Sequence, residues 1–212
     1  MDALEFSSRN LIDFLTITAR LKSEVRHCCD ASGSRLESVA EHSFQMTLFA
    51  LAVSRYLERE VDVLRLIKLC ICHDLVEAIV GDEPYVDGAD RSAKRKREEE
   101  GLTVLLKDIP PHLATEIREL WLEFEDCQTV EARCAKALDN LEAQLQHNIA
   151  PLSTWEEREF PMVFTKLDKW CAHDATLQAL CEAIKSDACQ KMRDEGMDPD
   201  RYRPQDSGSC KS

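Results

Sequence analysis

Glycine is scarce in this sequence, and the motifs that depend on it are missing. Only six of the 212 residues are glycine. The sequence contains no GxGxxG, no phosphate-cradling glycine loop, no GxSxG and no internal repeat. This argues against a Rossmann dinucleotide site, a P-loop and a nucleophile elbow of the serine-hydrolase type. With 32% charged residues, the composition instead favours a soluble helical protein.

The chain also lacks features that would direct it to a membrane or to nucleic acid. No apolar run approaches the roughly 20 residues of a membrane span. The first five residues, Met-Asp-Ala-Leu-Glu, contain no basic region followed by an apolar one. Basic residues are outnumbered, 27 against 40 acidic ones, and the net charge is −13. We therefore expect a cytoplasmic protein with neither a membrane nor a nucleic acid as its partner.

The ten cysteines form no CxxC pair, which makes a zinc knuckle improbable. They are scattered, and several, such as Cys127 and Cys134, have the spacing of a helix core. Because the chain shows no export signal, we expect reduced thiols.

The spacing of apolar residues predicts an all-α fold in a single domain. A loop is expected at 26–35, where the helical periodicity is lost and turn residues occur. Ser38 and Glu41 have the spacing of a capping box, which predicts a helix start there. We assign the domain to residues 1–195, with a core at about 5–150, a C-terminal helical extension at 155–195 and a flexible tail at 196–212. Helices are expected at about 4–21, 38–56, 62–77, from 94 onward, 111–124, 129–145 and 164–192.

The predicted helix at 62–77 carries the residues most suited to chemistry. Its interior is apolar, yet it ends with His73, Asp74 and Glu77. Burying such groups without a partner is costly, so we expect one to be present. Helical spacing places Glu77 one turn after the His73-Asp74 pair and on the same face.

Two further residues can join this pair. His42 lies at the predicted helix start, and Asp139 lies beside an apolar stripe, where it is either a capped or ion-paired structural residue or a ligand. Two imidazoles and two carboxylates make a credible divalent metal site, which suits Mn, Co, Fe, Ni or Zn better than Ca. A closed site of four ligands would be structural, whereas one with room for water would be catalytic.

A second His-Asp dipeptide, His173-Asp174, is an internal control for this interpretation. Leu177 takes the place that Glu77 has after the first dipeptide, and no later helical aspartate completes a set. We therefore predict a structural or surface role for the second dipeptide.

Three motifs together resemble the HD-domain family of metal-dependent phosphohydrolases, and within it the 5'-deoxynucleotidase branch. They are E-S-V-A-E-H at 37–42, C-H-D-L-V-E-A-I-V-G-D at 72–82 and K-A-L-D-N-L-E-A at 136–143. The resemblance implies an all-α HD helical bundle that forms a homodimer. It also implies hydrolysis of nucleoside 5'-monophosphates, preferentially the deoxy forms, to nucleoside and phosphate. The implied cofactor is a divalent cation, Co, Mn or a similar metal, which includes Mg, Zn, Fe and Ni.

The resemblance also implies roles for individual residues. The implied metal ligands are His42, His73, Asp74 and Asp139. Catalytic roles are implied for Glu77, as the proton acceptor, and for Asp82. The implied substrate contacts are Arg26, which would orient the phosphate, Asp82 and Glu83.

Two alternatives remain at this stage. One is a different HD chemistry, such as a cyclic-nucleotide phosphodiesterase or a di-iron oxygenase. An oxygenase needs further histidines, and the four that remain, His27, His112, His147 and His173, have no supporting spacing. The other is a helical interaction module whose metal is purely structural, although such a closed site has no need of Glu77 or Asp82.

Overall fold

The computed structural model describes residues 7–83 and 91–204. The prediction of an all-α fold is confirmed, with one small antiparallel sheet added. Part of the acidic loop that follows Gly81, residues 84–90, lies outside the described residues. The elements are α1 (Ser8–Thr18), β1 (Val25–Cys29), β2 (Leu36–Ser38), α2 (Val39–Val53), α3 (Val63–Cys72), α4 (Glu77–Val80), α5 (Arg91–Leu105), α6 (Pro111–Asp126), α7 (Val130–Ile149), α8 (Glu159–Thr165), α9 (Asp168–Cys171) and α10 (Ala175–Asp194).

The capping box at the start of α2 is confirmed. The Ser38 hydroxyl accepts a hydrogen bond from the Glu41 backbone N–H at 3.2 Å. In return the Glu41 carboxylate accepts from the Ser38 backbone N–H at 2.9 Å. A side-chain cap of this kind stabilises a helix by about 1 kcal/mol. It also fixes where the helix begins, and so places His42 in its first turn.

The loop expected at 26–35 is wrong at its N-terminal end, where β1 pairs with β2. Val25 lies opposite Ser38, and Cys29 lies opposite Leu36. The sequence of β1 has no alternation of apolar and polar residues, so its periodicity did not reveal a strand. The hairpin packs against α7 and holds Arg26 and His27 on ordered backbone.

The helix expected at 62–77 is wrong as one continuous element, because α3 ends at Cys72. Tighter turns follow it: the Glu77 N–H donates to the Asp74 carbonyl, three residues back, at 3.0 Å. In turns of this type, side chains three residues apart are eclipsed. Asp74 and Glu77 therefore share one face, as the helical spacing predicted, although the backbone between them is not α-helical.

Helix α7 lies at the centre of the fold and packs against α2, α3, α6, α10 and the hairpin. Leu138 and Leu141 on this helix are fully buried, together with Leu66 and Leu69 of α3. No helix within 7–83 and 91–204 is both long enough and apolar enough to cross a bilayer. The nine cysteines in these ranges are free thiols, as expected.

The C-terminal segment packs against α8, although a flexible tail was expected from residue 196. Pro199–Tyr202 form a short 3-10 helix. The Tyr202 ring stacks on Phe160 with 4.9 Å between centroids. The Arg203 guanidinium lies over the Phe164 ring at 4.6 Å. Residues 205–212 of the expected tail lie outside the described residues.

Candidate metal centre and its cleft

The structure brings together the four residues that were predicted as metal ligands. They come from α2, from the turns after α3 and from α7. His42 Nε2 lies 3.3 Å from His73 Nε2 and 3.3 Å from the Asp139 carboxylate. The Asp74 carboxylate lies 3.0 Å from His73 Nε2 and 3.8 Å from His42 Nε2. Of the two alternatives for Asp139, the structure therefore supports an inward-facing carboxylate.

The Nδ1 atom of each histidine has a hydrogen-bond partner outside the centre, and the Nε2 atom faces the centre. His73 Nδ1 lies 2.8 Å from the Cys70 carbonyl, which can only accept, so Nδ1 carries the proton. His42 Nδ1 lies 2.5 Å from the Glu142 carboxylate and donates to it in the same way. The two Nε2 atoms then lie 3.3 Å apart. Either a proton on one of them or a cation between them must separate their lone pairs.

A divalent cation fits this donor set. Metal bonds of about 2.0–2.2 Å to nitrogen and oxygen place neighbouring donors about 2.9–3.6 Å apart. Three of the four separations given above fall in that range, and the fourth, 3.8 Å between Asp74 and His42, lies just beyond it. The mixture of imidazole and carboxylate donors is also one that first-row transition metals accept. The residues present therefore fit a metal of the expected kind.

The electrostatics of the centre favour a cation as well. Burial and Arg26 lower the pKa of His42, but hydrogen bonds to Asp139 and Glu142 raise it to about 9. Burial opposes ionisation of Asp139, yet the two histidines hold the pKa of its carboxyl well below the usual range. The carboxylates therefore remain charged and stabilise positive charge at their centre.

The centre lies at the floor of a cleft of about 420 Å³. The His42 side chain is completely buried, whereas 18% of the Asp74 side chain and 24% of the Asp139 side chain are exposed. The two carboxylates are therefore accessible from the cleft, whereas the His42 imidazole is not. A site that opens on one side can admit water and a ligand, which a closed structural site cannot.

Glu77 begins α4 and lines the same cleft. Its side chain is buried, and its Oε2 has no hydrogen-bond partner in the part of the chain that the structure describes. Burial, Asp74 and Asp82 together raise the pKa of Glu77 to about 10, against the opposing effect of Arg26 and Lys94. A buried carboxyl with a raised pKa in a cleft is a typical feature of a proton-transfer group.

Gly81 turns the chain so that Asp82 lines the cleft. Its φ of +80° is a conformation that other residues rarely adopt, and Glu24 lies close enough to touch an added Cβ. The Glu24 carboxylate accepts a hydrogen bond from the Asp82 backbone N–H at 3.0 Å and fixes the turn. Glu83 is exposed and forms an ion pair with Arg97 at the rim of the cleft.

Arg26 lies between the hairpin and the centre. Its guanidinium is 3.6 Å from the Asp74 carboxylate and 3.5 Å from that of Glu37. Although burial opposes it, Asp74 and Asp139 raise the pKa of Arg26, so its charge is permanent. Six further basic side chains line the cleft: Lys94, Arg95, Arg97, Lys136, Lys166 and Lys169.

Sequence reasoning missed two carboxylates that position these groups. Glu142 holds His42, and Glu37 holds Arg26. Both lie in the quoted motifs, and Glu142 follows Asp139 by three residues on a helix. That spacing places two residues on one face and could have revealed Glu142. Glu37 precedes the capping box, and only the hairpin brings it to Arg26.

We expect Glu142→Gln to weaken metal binding by about 10- to 100-fold, because the histidine would lose the carboxylate that fixes its tautomer and orientation. Calorimetric titration of metal-free protein with Co²⁺ measures this. Glu131→Gln, which changes a glutamate at the other end of α7, is the control and should bind Co²⁺ like the wild type. Unchanged affinity in Glu142→Gln would show that His42 needs no such support.

The second His-Asp dipeptide has the structural role that was predicted. The Asp174 side chain accepts hydrogen bonds from the backbone N–H groups of Thr176 and Leu177 and so caps α10. It also accepts from the Glu58 N–H at 2.8 Å. The same dipeptide therefore supplies a cap at one place and metal-type donors at another.

Comparison with known proteins matches the chain to the HD domain family over residues 18–176. The 5'-deoxynucleotidase HDDC2 of Bos taurus is 34% identical over 140 residues, which cover 66% of this chain and 67% of the relative. The 5'-deoxynucleotidase hdd1 of Schizosaccharomyces pombe is 30% identical over 140 residues, which cover 64% of this chain and 69% of that relative. The crystal structure of a predicted metal-dependent phosphohydrolase from Magnetospirillum magnetotacticum superposes with a TM-score of 0.74 at 28% identity, covering 90% of this chain and 95% of that one.

Proposed function

The chain belongs to the HD domain family, and we propose that it is a 5'-deoxynucleotidase that hydrolyses (deoxy)nucleoside 5'-monophosphates to nucleoside and phosphate in a metal-dependent reaction. Relatives named 5'-deoxynucleotidase and a structural neighbour named as a metal-dependent phosphohydrolase support this activity. The observation that carries the proposal is that four metal-type donors meet at the floor of a cleft and two of them face its open side.

His42, His73, Asp74 and Asp139 would hold the metal. When bound, a divalent cation neutralises charge on the phosphate, makes water more acidic and lowers the pKa of nearby carboxyls. Glu142 orients the His42 ring through its Nδ1–H. These residues make the centre, and the remaining steps depend on the groups that surround it.

Arg26 binds the phosphate of the substrate. Its guanidinium faces the cleft beside Asp74 and is held by Glu37, so it is already oriented before a ligand arrives. A fixed guanidinium can donate two parallel hydrogen bonds to one phosphate group. Lys94, Lys136 and Lys166 also line the cleft and add positive charge in a protein that is acidic overall. This local field attracts a small anion while the rest of the surface repels large ones.

Glu77 accepts the proton of the attacking water. Its Oε2 is buried in the cleft, and no neighbouring group in the described ranges donates a hydrogen bond to it. With a cation bound nearby, the pKa of Glu77 would fall from about 10, and the ionised carboxylate could take a proton from a water that lies against the phosphate. Asp82, which follows Gly81 on the same wall, orients that water or the sugar hydroxyls. Glu83 holds Arg97 at the rim.

The proposal also includes the identity of the metal, the compartment and the oligomeric state, which membership of the family does not specify. The metal is Co²⁺ or Mn²⁺, or a similar divalent ion such as Mg²⁺, Zn²⁺, Fe²⁺ or Ni²⁺. The protein acts in the cytoplasm, without nucleic acid or membrane as a partner, and forms a homodimer. Phe44, Leu48 and Leu51 support the dimer, since they are exposed on one face of α2. The extent of the domain, 1–195, is also part of this proposal.

A panel of nucleotides with phosphate detection tests the function. Metal-free protein is supplied in turn with Co²⁺, Mn²⁺, Mg²⁺, Zn²⁺, Ni²⁺ and Fe²⁺. We expect phosphate release from deoxynucleoside 5'-monophosphates, fastest with Co²⁺ or Mn²⁺, and slower release from ribonucleotides. The 3',5'-cyclic nucleotides should stay intact, because they are diesters and carry no terminal phosphate.

Two other outcomes would replace this proposal. Hydrolysis of cyclic nucleotides with monophosphates left intact would favour a phosphodiesterase. Folded, metal-loaded protein that hydrolyses none of the substrates would favour a helical interaction module with a structural metal.

A further inference from the structure

A second cluster of metal-type donors lies at another part of the cleft. It consists of His27 on β1, His147 on α7 and Glu159 at the start of α8, and all three line the cleft. Sequence spacing gave no reason to connect them, and the two histidines were set aside on that ground. The fold joins them because β1 packs against α7 and the start of α8 brings Glu159 close to His147.

The three ligand atoms meet at a single carboxylate oxygen. Glu159 Oε1 lies 3.4 Å from His27 Nε2 and 3.6 Å from His147 Nε2. The two imidazole rings are 5.5 Å apart between centroids and tilted by 50°. One donor atom from each residue lies within 4.8 Å of the other two.

Glu159 is buried, and only one of its two carboxylate oxygens has a hydrogen-bond partner within the described residues. Its Oε2 accepts a hydrogen bond from the Glu156 backbone N–H at 2.7 Å. Its Oε1 has no hydrogen-bond partner among the residues that the structure describes, and only 5% of the residue is exposed. A buried carboxylate oxygen without a donor is costly, and two imidazole nitrogens lie 3.4 and 3.6 Å from it. A positively charged ligand between this oxygen and the two nitrogens would therefore stabilise the buried carboxylate.

A metal cation fits that space better than a proton does. Ligands at about 2.0–2.1 Å in a tetrahedral arrangement lie about 3.3–3.4 Å apart, close to the two measured separations. Both distances are long for a hydrogen bond. A neutral imidazole binds a metal through the lone pair of one ring nitrogen, and here both Nε2 atoms face the carboxylate oxygen.

The cluster is separate from the first centre. His147 follows Asp139 by eight residues on α7, which corresponds to about 12 Å along a helix. Paired metals that act together on one phosphate lie only about 3.5–4 Å apart. A cation at this second place would therefore not take part in the same displacement.

We propose that His27, His147 and Glu159 form a second metal site, which binds a divalent transition cation such as Zn²⁺ or Co²⁺ through two imidazole nitrogens and one carboxylate oxygen. The remaining coordination positions face the cleft. The cation links β1, α7 and α8, so it fastens the C-terminal helices to the hairpin that carries Arg26.

Metal counting tests the site. Tag-free protein is stripped with a chelator, loaded with Co²⁺, desalted and analysed by plasma mass spectrometry together with its visible absorption spectrum. We expect two equivalents per chain in the wild type and one in Glu159→Gln and in His147→Gln. His112→Gln, which removes an exposed imidazole far from the cluster, should retain two.

A second measurement isolates the site from the first centre. In Asp139→Asn, which disables the first centre, Co²⁺ should still raise the melting temperature, and this rise should vanish when Glu159→Gln is added. If Glu159→Gln fails to fold by circular dichroism, His27→Gln replaces it, since that side chain is partly exposed. A single equivalent in the wild type, or a second equivalent that persists in Glu159→Gln or His27→Gln, would overturn the proposal.

Discussion

Glu77→Gln should keep its metal and lose most of its turnover. Glutamine has nearly the shape of glutamate but cannot take a proton from water at neutral pH. Loss of a general base lowers kcat by about 10²- to 10⁴-fold. The metal should remain, because Glu77 is not among the four donors that meet at His42. Phosphate release from a deoxynucleoside monophosphate measures kcat, and plasma mass spectrometry of the same sample measures the metal.

Glu116→Gln is the control for this experiment. Glu116 pairs with Lys68 away from the cleft, so kcat should match that of the wild type. If Glu77→Gln kept kcat within about threefold of the wild type, another group would have to accept the proton. If Glu77→Gln also lost the metal, Glu77 would be a metal ligand rather than the proton acceptor.

Asp74→Asn and Asp174→Asn should have opposite effects, although each changes the aspartate of a His-Asp dipeptide. Asp74→Asn removes a charged donor that faces His73 at 3.0 Å, so metal and activity should both be lost. Asp174→Asn weakens the cap of α10 and the bond to the Glu58 N–H. It should lower the free energy of unfolding by about 1–3 kcal/mol, because the amide has one oxygen and cannot accept from both the cap N–H groups and the Glu58 N–H, while metal binding remains. Chemical denaturation and metal analysis of both variants check this pair.

The two variants also test whether stability and ligation are separable. Asp74→Asn should remain folded in the absence of metal, since the amide has nearly the shape of the carboxylate, although it loses the charge that pairs with Arg26. Retention of metal by Asp74→Asn would remove Asp74 from the ligand set. Loss of metal in Asp174→Asn would show that the whole bundle, rather than the local donors, determines binding.

Local rules predicted the parts of the fold that depend on nearby residues. The start of α2 at Ser38 and that of α7 after Thr129 follow from side-chain caps, which act over three residues. The apolar stripe of α7 predicted a buried helix, and Leu138 and Leu141 are indeed fully buried. The convergence of His42, His73, Asp74 and Asp139 was expected because their types and their places on predicted helices already suited one cation.

Contacts between distant residues could not be predicted in this way. The hairpin depends on pairing of Val25 with Ser38, and its two strands have no periodic pattern. The end of α3 at Cys72 depends on how the chain packs there, while its apolar pattern continues beyond that point. His27, His147 and Glu159 lie on three elements whose arrangement the sequence does not reveal.

Helix α7 is both the centre of the core and the carrier of Asp139, Glu142 and His147, and this dual role has a genetic consequence. An enzyme with its chemistry on loops can change specificity while its scaffold is conserved. Here almost every turn of one helix serves both tasks, so a substitution that alters selectivity also disturbs packing. We expect random variants with new substrate preferences to map to the hairpin and α5, and variants in α7 to be eliminated as insoluble.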